Sequence, residues 1–300
     1  MGDLVRGCGV ALVTPFTERE VDYDALGRLV DMHVELSGSI IVAGTTGEAS
    51  TLTDDEYHKT VKFVIDRVNK RIPVIAGAGS NCTASAVDKA KFCEEAGADG
   101  LLIVTPYYNK TTQRGLINHY RVIAENTSLP IIAYSVQGRT GMNIEPKTAL
   151  ELSKIKNVAG IKEASGNISQ VAEIIRICPK EFLVYSGNDD MVIPLMSLGG
   201  RGVISVVANI LPAETKKMVD DYKNGNIEDA RNAQLELNGL VKALFIETNP
   251  IPVKEAMGIM NMCKSDVREP LYPMSNENRE KLIEEMCNHG LCSASTTATE

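Results

Sequence analysis

The sequence predicts an α/β fold, a closed (β/α)8 TIM barrel with a C-terminal helical extension, and three observations carry that expectation. Eight short apolar runs rich in β-branched residues alternate with helical patterns at intervals of very roughly 30 residues, the rhythm of βα units. Each run is apolar almost without interruption, as strands covered on both faces of a parallel sheet are. No G-x-G-x-x-G follows the first run, so nothing announces the dinucleotide crevice of a doubly wound sheet.

The runs are Gly9 to Val13, Ile40 to Ala43, Val74 to Gly77, Leu101 to Val104, Ile131 to Tyr134, Val158 to Lys162, Phe182 to Ser186 and Val203 to Val206. Between them Tyr57, Val61, Val64, Ile65 and Val68 recur at helical spacing behind a capping box, Thr53 with Glu56. Val171, Ile174, Ile175 and Cys178 repeat the pattern, and both stripes read as core. The segments Gly77 to Cys82 and Gly199 to Gly202 read as permissive turns. Beyond the eighth run, helical patterns fall around residues 212–222, 226–246, 252–261 and 276–288. The expected division is a barrel over 1–224, a helical domain over 225–292 and a small, polar, disordered tail over 293–300.

A chain of 300 residues, 44% hydrophobic and 23% charged, is long enough to bury an enzyme-sized core. A formal net charge of −8 with scattered basic residues offers no face for nucleic acid. No apolar run approaches the roughly 18 residues of a membrane span. The start, Met1 to Arg6, shows neither a signal h-region nor a myristoylation pattern, so a cytoplasmic protein is expected. Seven cysteines without any C-x-x-C predict reduced thiols and no zinc site. Cys287, His289 and Cys292 lack a fourth ligand and read as a frayed helix end.

In a barrel the reactive groups sit where strands end and βα loops begin. Lys162 closes the sixth run, with its stem along the barrel lining and its amine at the mouth. An apolar surround that disfavours the ammonium leaves an amine able to attack a keto carbon. The plainer reading is a lysine that pairs with Glu163 or reaches to water. Tyr134 ends the neighbouring fifth run, where a phenol can pass protons to such an amine, or can simply be a packed ring. Arg139 suits two parallel hydrogen bonds to a carboxylate, or is a surface loop charge. The turn Gly44-Thr45-Thr46-Gly47-Glu48 offers hydroxyls and backbone amides to another carboxylate.

Together these segments resemble the dihydrodipicolinate synthase and N-acetylneuraminate lyase superfamily of class I aldolases, from Gly7 to about Leu291, and within it the synthase family above all. The marks are Gly44 to Glu48, Thr105-Pro106-Tyr107-Tyr108-Asn109, Gly138-Arg139-Thr140-Gly141, Gly160-Ile161-Lys162-Glu163 and Asn249-Pro250-Ile251-Pro252-Val253-Lys254. The resemblance implies that Lys162 condenses with pyruvate, that Thr46 holds its carboxylate, and that Tyr134, Thr45 and Tyr108 form a proton relay. Arg139 would bind the carboxylate of aspartate semialdehyde, and Gly187 and Ile204 would line the pyruvate pocket. The product would be 4-hydroxy-tetrahydrodipicolinate, on the way to diaminopimelate and lysine. No metal, nicotinamide or pyridoxal cofactor is implied, and no nucleic acid or membrane partner. Tyr108 would reach a neighbouring subunit's site, which implies an oligomer, usually a homotetramer. A related pyruvate aldolase acting on N-acetylneuraminate or a 2-keto-3-deoxy sugar acid, or a barrel that binds a metabolite without turning it over, remains open.

Two departures stand out. The family's usual Tyr-Asn-Val-Pro is Tyr134-Ser135-Val136-Gln137 here, and the loss of asparagine and proline predicts a looser loop under Tyr134 and Arg139. Lysine-inhibited members carry a glutamate where this chain has Ser85, and histidines where it has Asp54 and Tyr57. Weak or absent feedback by lysine is therefore expected.

Overall fold

A computed structural model describes residues 4–292. The expected tail at 293–300 lies outside the described residues. Eight parallel strands close a barrel: β1 (Cys8–Ala11), β2 (Ser39–Val42), β3 (Val74–Gly77), β4 (Gly100–Val104), β5 (Ile131–Ser135), β6 (Val158–Glu163), β7 (Leu183–Ser186) and β8 (Val203–Ser205). Each strand pairs with the next, and β8 returns to β1. The expected runs are all strands, with ends displaced by no more than a residue or two. A hairpin that was not expected, Phe16–Thr17 with Glu20–Val21, follows β1. Its turn places Glu18 and Arg19 at φ 51° and 74°. Such turns favour Asn-Gly, so Glu-Arg gave no sign of one.

The two-residue period of the strands sorts their side chains into two layers. Ala11, Ile41, Ile75, Leu102, Ile132, Tyr134, Tyr185 and Ile204 fill the barrel. The alternate residues, among them Ile40, Ile103, Ala133 and Ile161, face the surrounding helices. Helix Asp54–Val68 begins with the expected capping box, and its stripe from Tyr57 to Val68 is buried. In helix Ile168–Ile177, Val171 and Ile174 are buried. Ile175 and Cys178 are half-buried against the same core.

Helix Pro212–Lys223 completes the barrel, and Gly225, at φ +89°, turns the chain beyond it. Helices Ile227–Leu244, Ile251–Ile259 and Asn276–Asn288 follow. Leu240, Val241, Leu282 and Met286 belong to the apolar core that the barrel's own helices share. The segment after Leu244 returns to the mouth of the barrel. There Lys254, wholly buried, forms an ion pair with Glu48 of the β2 turn and lies 4.0 Å from the centre of the Phe16 ring. Arg268 grips Glu56 through two nitrogens, at 2.6 and 2.8 Å.

Reduced thiols throughout are not what the structure has. Cys287 and Cys292 form a disulfide. The chain reverses at Gly290, φ +68°, just after the last helix, and brings their Cα atoms to 4.9 Å, inside the bridging range. Cys8, Cys82, Cys93, Cys178 and Cys263 are free. Among the described residues no helix is long and apolar enough to cross a membrane. Nor do any three His, Cys, Asp or Glu residues there cluster to hold a metal ion.

Candidate active site

Tyr134 and Lys162 are register partners across β5 and β6. Both point into the barrel, and the Lys162 amine stands 4.3 Å from the centre of the Tyr134 ring. Lys162 is only 5% exposed. Glu163, the next residue, faces the opposite layer, where its carboxylate accepts from Gln170 Nε2 at 2.8 Å and from the Ser165 amide. Strand alternation therefore rules out the Lys162–Glu163 pair and leaves the amine in a cavity at the mouth of the barrel.

Burial pushes the Lys162 amine down to about 8; Arg139 pushes the same way, and the buried Asp189 carboxylate opposes them. Roughly a tenth of such an amine is neutral at pH 7, about 300-fold more than for an ordinary lysine. Burial raises the Tyr134 phenol to about 12, with Arg139 opposing. The phenol is thus protonated at neutral pH, a donor that can accept a proton only after, or while, it gives its own.

Lys162, Tyr134, Thr46, Gly187, Val206 and Asn249 line an inner cavity of about 70 Å³. A wider cleft of about 260 Å³ adjoins it, lined by Ser50, Gly79, Lys89 and Tyr107, with Thr45, Tyr134 and Arg139 common to both. Gly187 is glycine for a steric reason: a Cβ there would sit 2.7 Å from Ala164 Cβ and 3.0 Å from Lys162 Cε.

The β2 turn is held from beneath, with Thr14 Oγ1 donating to Gly47 O at 2.7 Å. Its own hydrogen bonds run from Glu48 and Ala49 back to Thr45 and Gly44, so the Thr45 and Thr46 amides take no part in them. Thr45 is exposed at the mouth, whereas Thr46 is buried and accepts from Asn249 Nδ2 at 3.0 Å. Arg139 lies on the exposed helical turn Gln137–Thr140 and donates to Asn249 O at 2.9 Å.

That loop is not loose. Ser135 is fully buried; its Oγ donates to Asn143 Oδ1 at 3.1 Å and accepts from the Ile144 amide at 3.0 Å. Thr140 adds a second anchor, accepting from Thr105 Oγ1 at 3.1 Å and donating to Met142 O at 3.0 Å. A serine hydroxyl thus ties down the backbone beyond Tyr134, the service an asparagine was expected to give.

The structure brings Lys162, Tyr134, Thr45, Thr46, Arg139 and Gly187 together. Ile204 lies in the buried layer beneath the cavity, whose wall at the end of β8 is Val206. Tyr108 is outside the cavity, 91% exposed at φ +67°, while its neighbour Tyr107 lines the outer cleft. The sequence reading assigned no role to Asn249, Phe245 or Val206, which also line the inner cavity. Asn249 stood inside a quoted motif and could have been found there; nothing in the sequence marked Phe245.

Residues 4–288 match the dihydrodipicolinate synthetase family. A 4-hydroxy-tetrahydrodipicolinate synthase of Caldicellulosiruptor bescii is 57% identical over 290 residues, which cover 96% of this chain and 98% of the relative. One from Acetivibrio thermocellus is 54% identical over 289 residues, 96% of this chain and 98% of the relative. Among solved structures, dihydrodipicolinate synthase from Thermotoga maritima superposes with a TM-score of 0.94 at 44% identity, covering 96% of this chain and all of that one.

Proposed function

The chain belongs to the dihydrodipicolinate synthetase family, and from that premise we propose that Lys162 captures pyruvate as an imine, with Tyr134, Thr45 and Tyr108 relaying protons. The reaction is the condensation of pyruvate with L-aspartate 4-semialdehyde to 4-hydroxy-tetrahydrodipicolinate, a lyase step of diaminopimelate and lysine biosynthesis.

The neutral Lys162 amine attacks the keto carbon of pyruvate, and the carbinolamine loses water as the Tyr134 phenol supplies its proton. The resulting iminium draws electrons from the adjoining methyl group, which loses a proton to give an enamine. The enamine carbon bonds to the aldehyde carbon, and the aldehyde oxygen takes up a proton. The amino group of the second substrate then replaces Lys162 at the imine carbon, closing the ring and freeing the lysine. The iminium itself is the electron sink, so the scheme calls for no metal, nicotinamide or pyridoxal group.

Thr46 and the turn amides are assigned to the pyruvate carboxylate, and Arg139 to that of the semialdehyde, with Gly187 and Ile204 shaping the floor. The adjoining cavities suit this order, the small inner one for the three-carbon acid and the wider one for its partner. Tyr108 completes the relay in a neighbouring copy, and the assembly proposed is a homotetramer; the exposure of Tyr108 supports that role. A solved relative at 43% identity is described as a monomeric variant, so the assembly needs its own measurement, by sedimentation. A cytoplasmic setting is proposed too: five of the seven cysteines are free thiols, with the Cys287–Cys292 pair the exception.

The observation that carries this reading is the buried Lys162 amine against the Tyr134 ring. Its test is kcat/KM with pyruvate for aspartate semialdehyde, set beside the cleavage of N-acetylneuraminate and 2-keto-3-deoxy sugar acids. Preference for the semialdehyde is expected; turnover of the sugar acids alone would overturn the assignment.

A further inference from the structure

We propose that Asn249 is a positioning residue that sets both carboxylate-binding groups, Thr46 through its side chain and Arg139 through its backbone. The inference rests on the assignment of Thr46 and Arg139 to the two substrate carboxylates. Asn249 comes from the helical extension, 203 positions from Thr46 in the chain, yet is 5% exposed in the wall of the inner cavity. Its segment is fixed from both sides: the Ile251 amide bonds to Thr248 O at 2.9 Å, and that of Lys254 to Pro250 O at 3.0 Å. Lys254 in turn is ion-paired to Glu48, on the same turn as Thr46.

A threonine hydroxyl has one proton to give and two lone pairs. Asn249 Nδ2 donates into one lone pair of Thr46, so the hydroxyl proton stays free for an anion, and a hydroxyl that accepts one hydrogen bond is the better donor of another. The Asn249 carbonyl occupies one Arg139 nitrogen and so fixes the plane of the guanidinium, leaving other N–H groups for a second carboxylate. Asn249 Oδ1 is buried with no hydrogen-bond partner among the described residues. An amide kept only to tie the fold together would have both ends satisfied, and this one does not.

The test is steady-state kinetics of the full-length enzyme with both substrates varied, for Asn249→Ala, Asn249→Asp, Thr46→Val and the Asn249→Ala/Thr46→Val double variant. Asn249→Ala is expected to raise KM for pyruvate about 10-fold with kcat changed less than about threefold. KM for the semialdehyde should stay within about twofold, because the backbone carbonyl facing Arg139 is retained. Asn249→Asp, nearly identical in shape, serves if the alanine variant fails to fold. Its carboxylate cannot donate, would draw the Thr46 proton to itself and would repel an anion, so KM for pyruvate should rise on the order of 100-fold. The double variant should be no worse than Thr46→Val alone.

An unchanged KM for pyruvate in Asn249→Asp would overturn the inference. Independent, multiplying effects in the double variant would overturn it as well. If Thr46→Val itself leaves KM for pyruvate unchanged, the assignment of Thr46 fails and this inference with it. If Thr46→Val raises KM and Asn249→Ala does not, only the inference about Asn249 falls.

Discussion

Gly187 and Lys162 are in contact so close that a single added carbon would collide: a Cβ on Gly187 would meet Lys162 Cε at 3.0 Å and Cγ at 3.2 Å. Ala164 Cβ blocks the retreat of that carbon, at 2.7 Å. Gly187→Ala should therefore push the lysine stem out of line, at an overpacking cost of about 1–3 kcal/mol in stability. A displacement of the amine near 1 Å should lower kcat/KM for pyruvate by roughly 100-fold. Urea denaturation and kinetics on one preparation check both; full activity in the alanine variant would contradict the packing.

The acid limb of the pH profile should belong to Lys162. Its amine is pushed down to about 8, so kcat/KM for pyruvate should climb with pH, tenfold per unit, until it levels off above about 8. The buried Asp189 carboxylate favours the ammonium form and opposes that shift. Asp189→Asn removes the opposition, so the limb should move to lower pH; movement to higher pH would contradict the electrostatics. The same shift links to stability. The depressed amine loses its proton at about pH 8 in the fold and about 10.5 when unfolded. Between those values the unfolded chain binds more protons, so this group makes the fold more stable as pH rises through that window.

Lys254 and Glu48 are 0% and 1% exposed, and each leaves the other an unpaired buried charge if removed alone. Lys254→Met should cost about 3–5 kcal/mol in urea unfolding. The Lys254→Met/Glu48→Gln double variant should recover part of that loss. Equal losses in the single and double variants would show that the pair is not what matters.

Micromolar lysine should leave the steady-state rate unchanged. Ser85 is exposed at the first turn of helix Thr83–Ala96, where lysine-inhibited relatives were expected to carry a carboxylate. The Tyr57 ring is buried, with its hydroxyl donating to Gly77 O at 2.9 Å. The Lys89 ammonium lies 4.8 Å from the centre of that ring and lines the outer cleft, where it would repel another cation. Inhibition at micromolar lysine would defeat this expectation.

The barrel was legible because its signals are local: a β-branched run, a capping box or a glycine turn is written in adjacent residues. Lys162 and Tyr134 were legible for the same reason, since each ends a strand and neighbouring strands bring their ends together. Asn249 was not, because its contact with Thr46 spans 203 positions and depends on how the helical extension folds back. The supposed looseness of the Tyr134 loop failed on a similar point. Ser135 is tied to Asn143 and Ile144, eight and nine residues on, which no local turn preference foretells. The Cys287–Cys292 disulfide is the reverse case: the two residues were read together, but the turn at Gly290 that closes the gap was not.

The most direct measurement is borohydride reduction of the enzyme in the presence of pyruvate, followed by mass spectrometry of its peptides. The expected result is a reduced pyruvate adduct on the peptide that contains Lys162, lost in Lys162→Ala. An unmodified Lys162 peptide, or an adduct on another lysine that survives Lys162→Ala, would contradict imine formation at this residue.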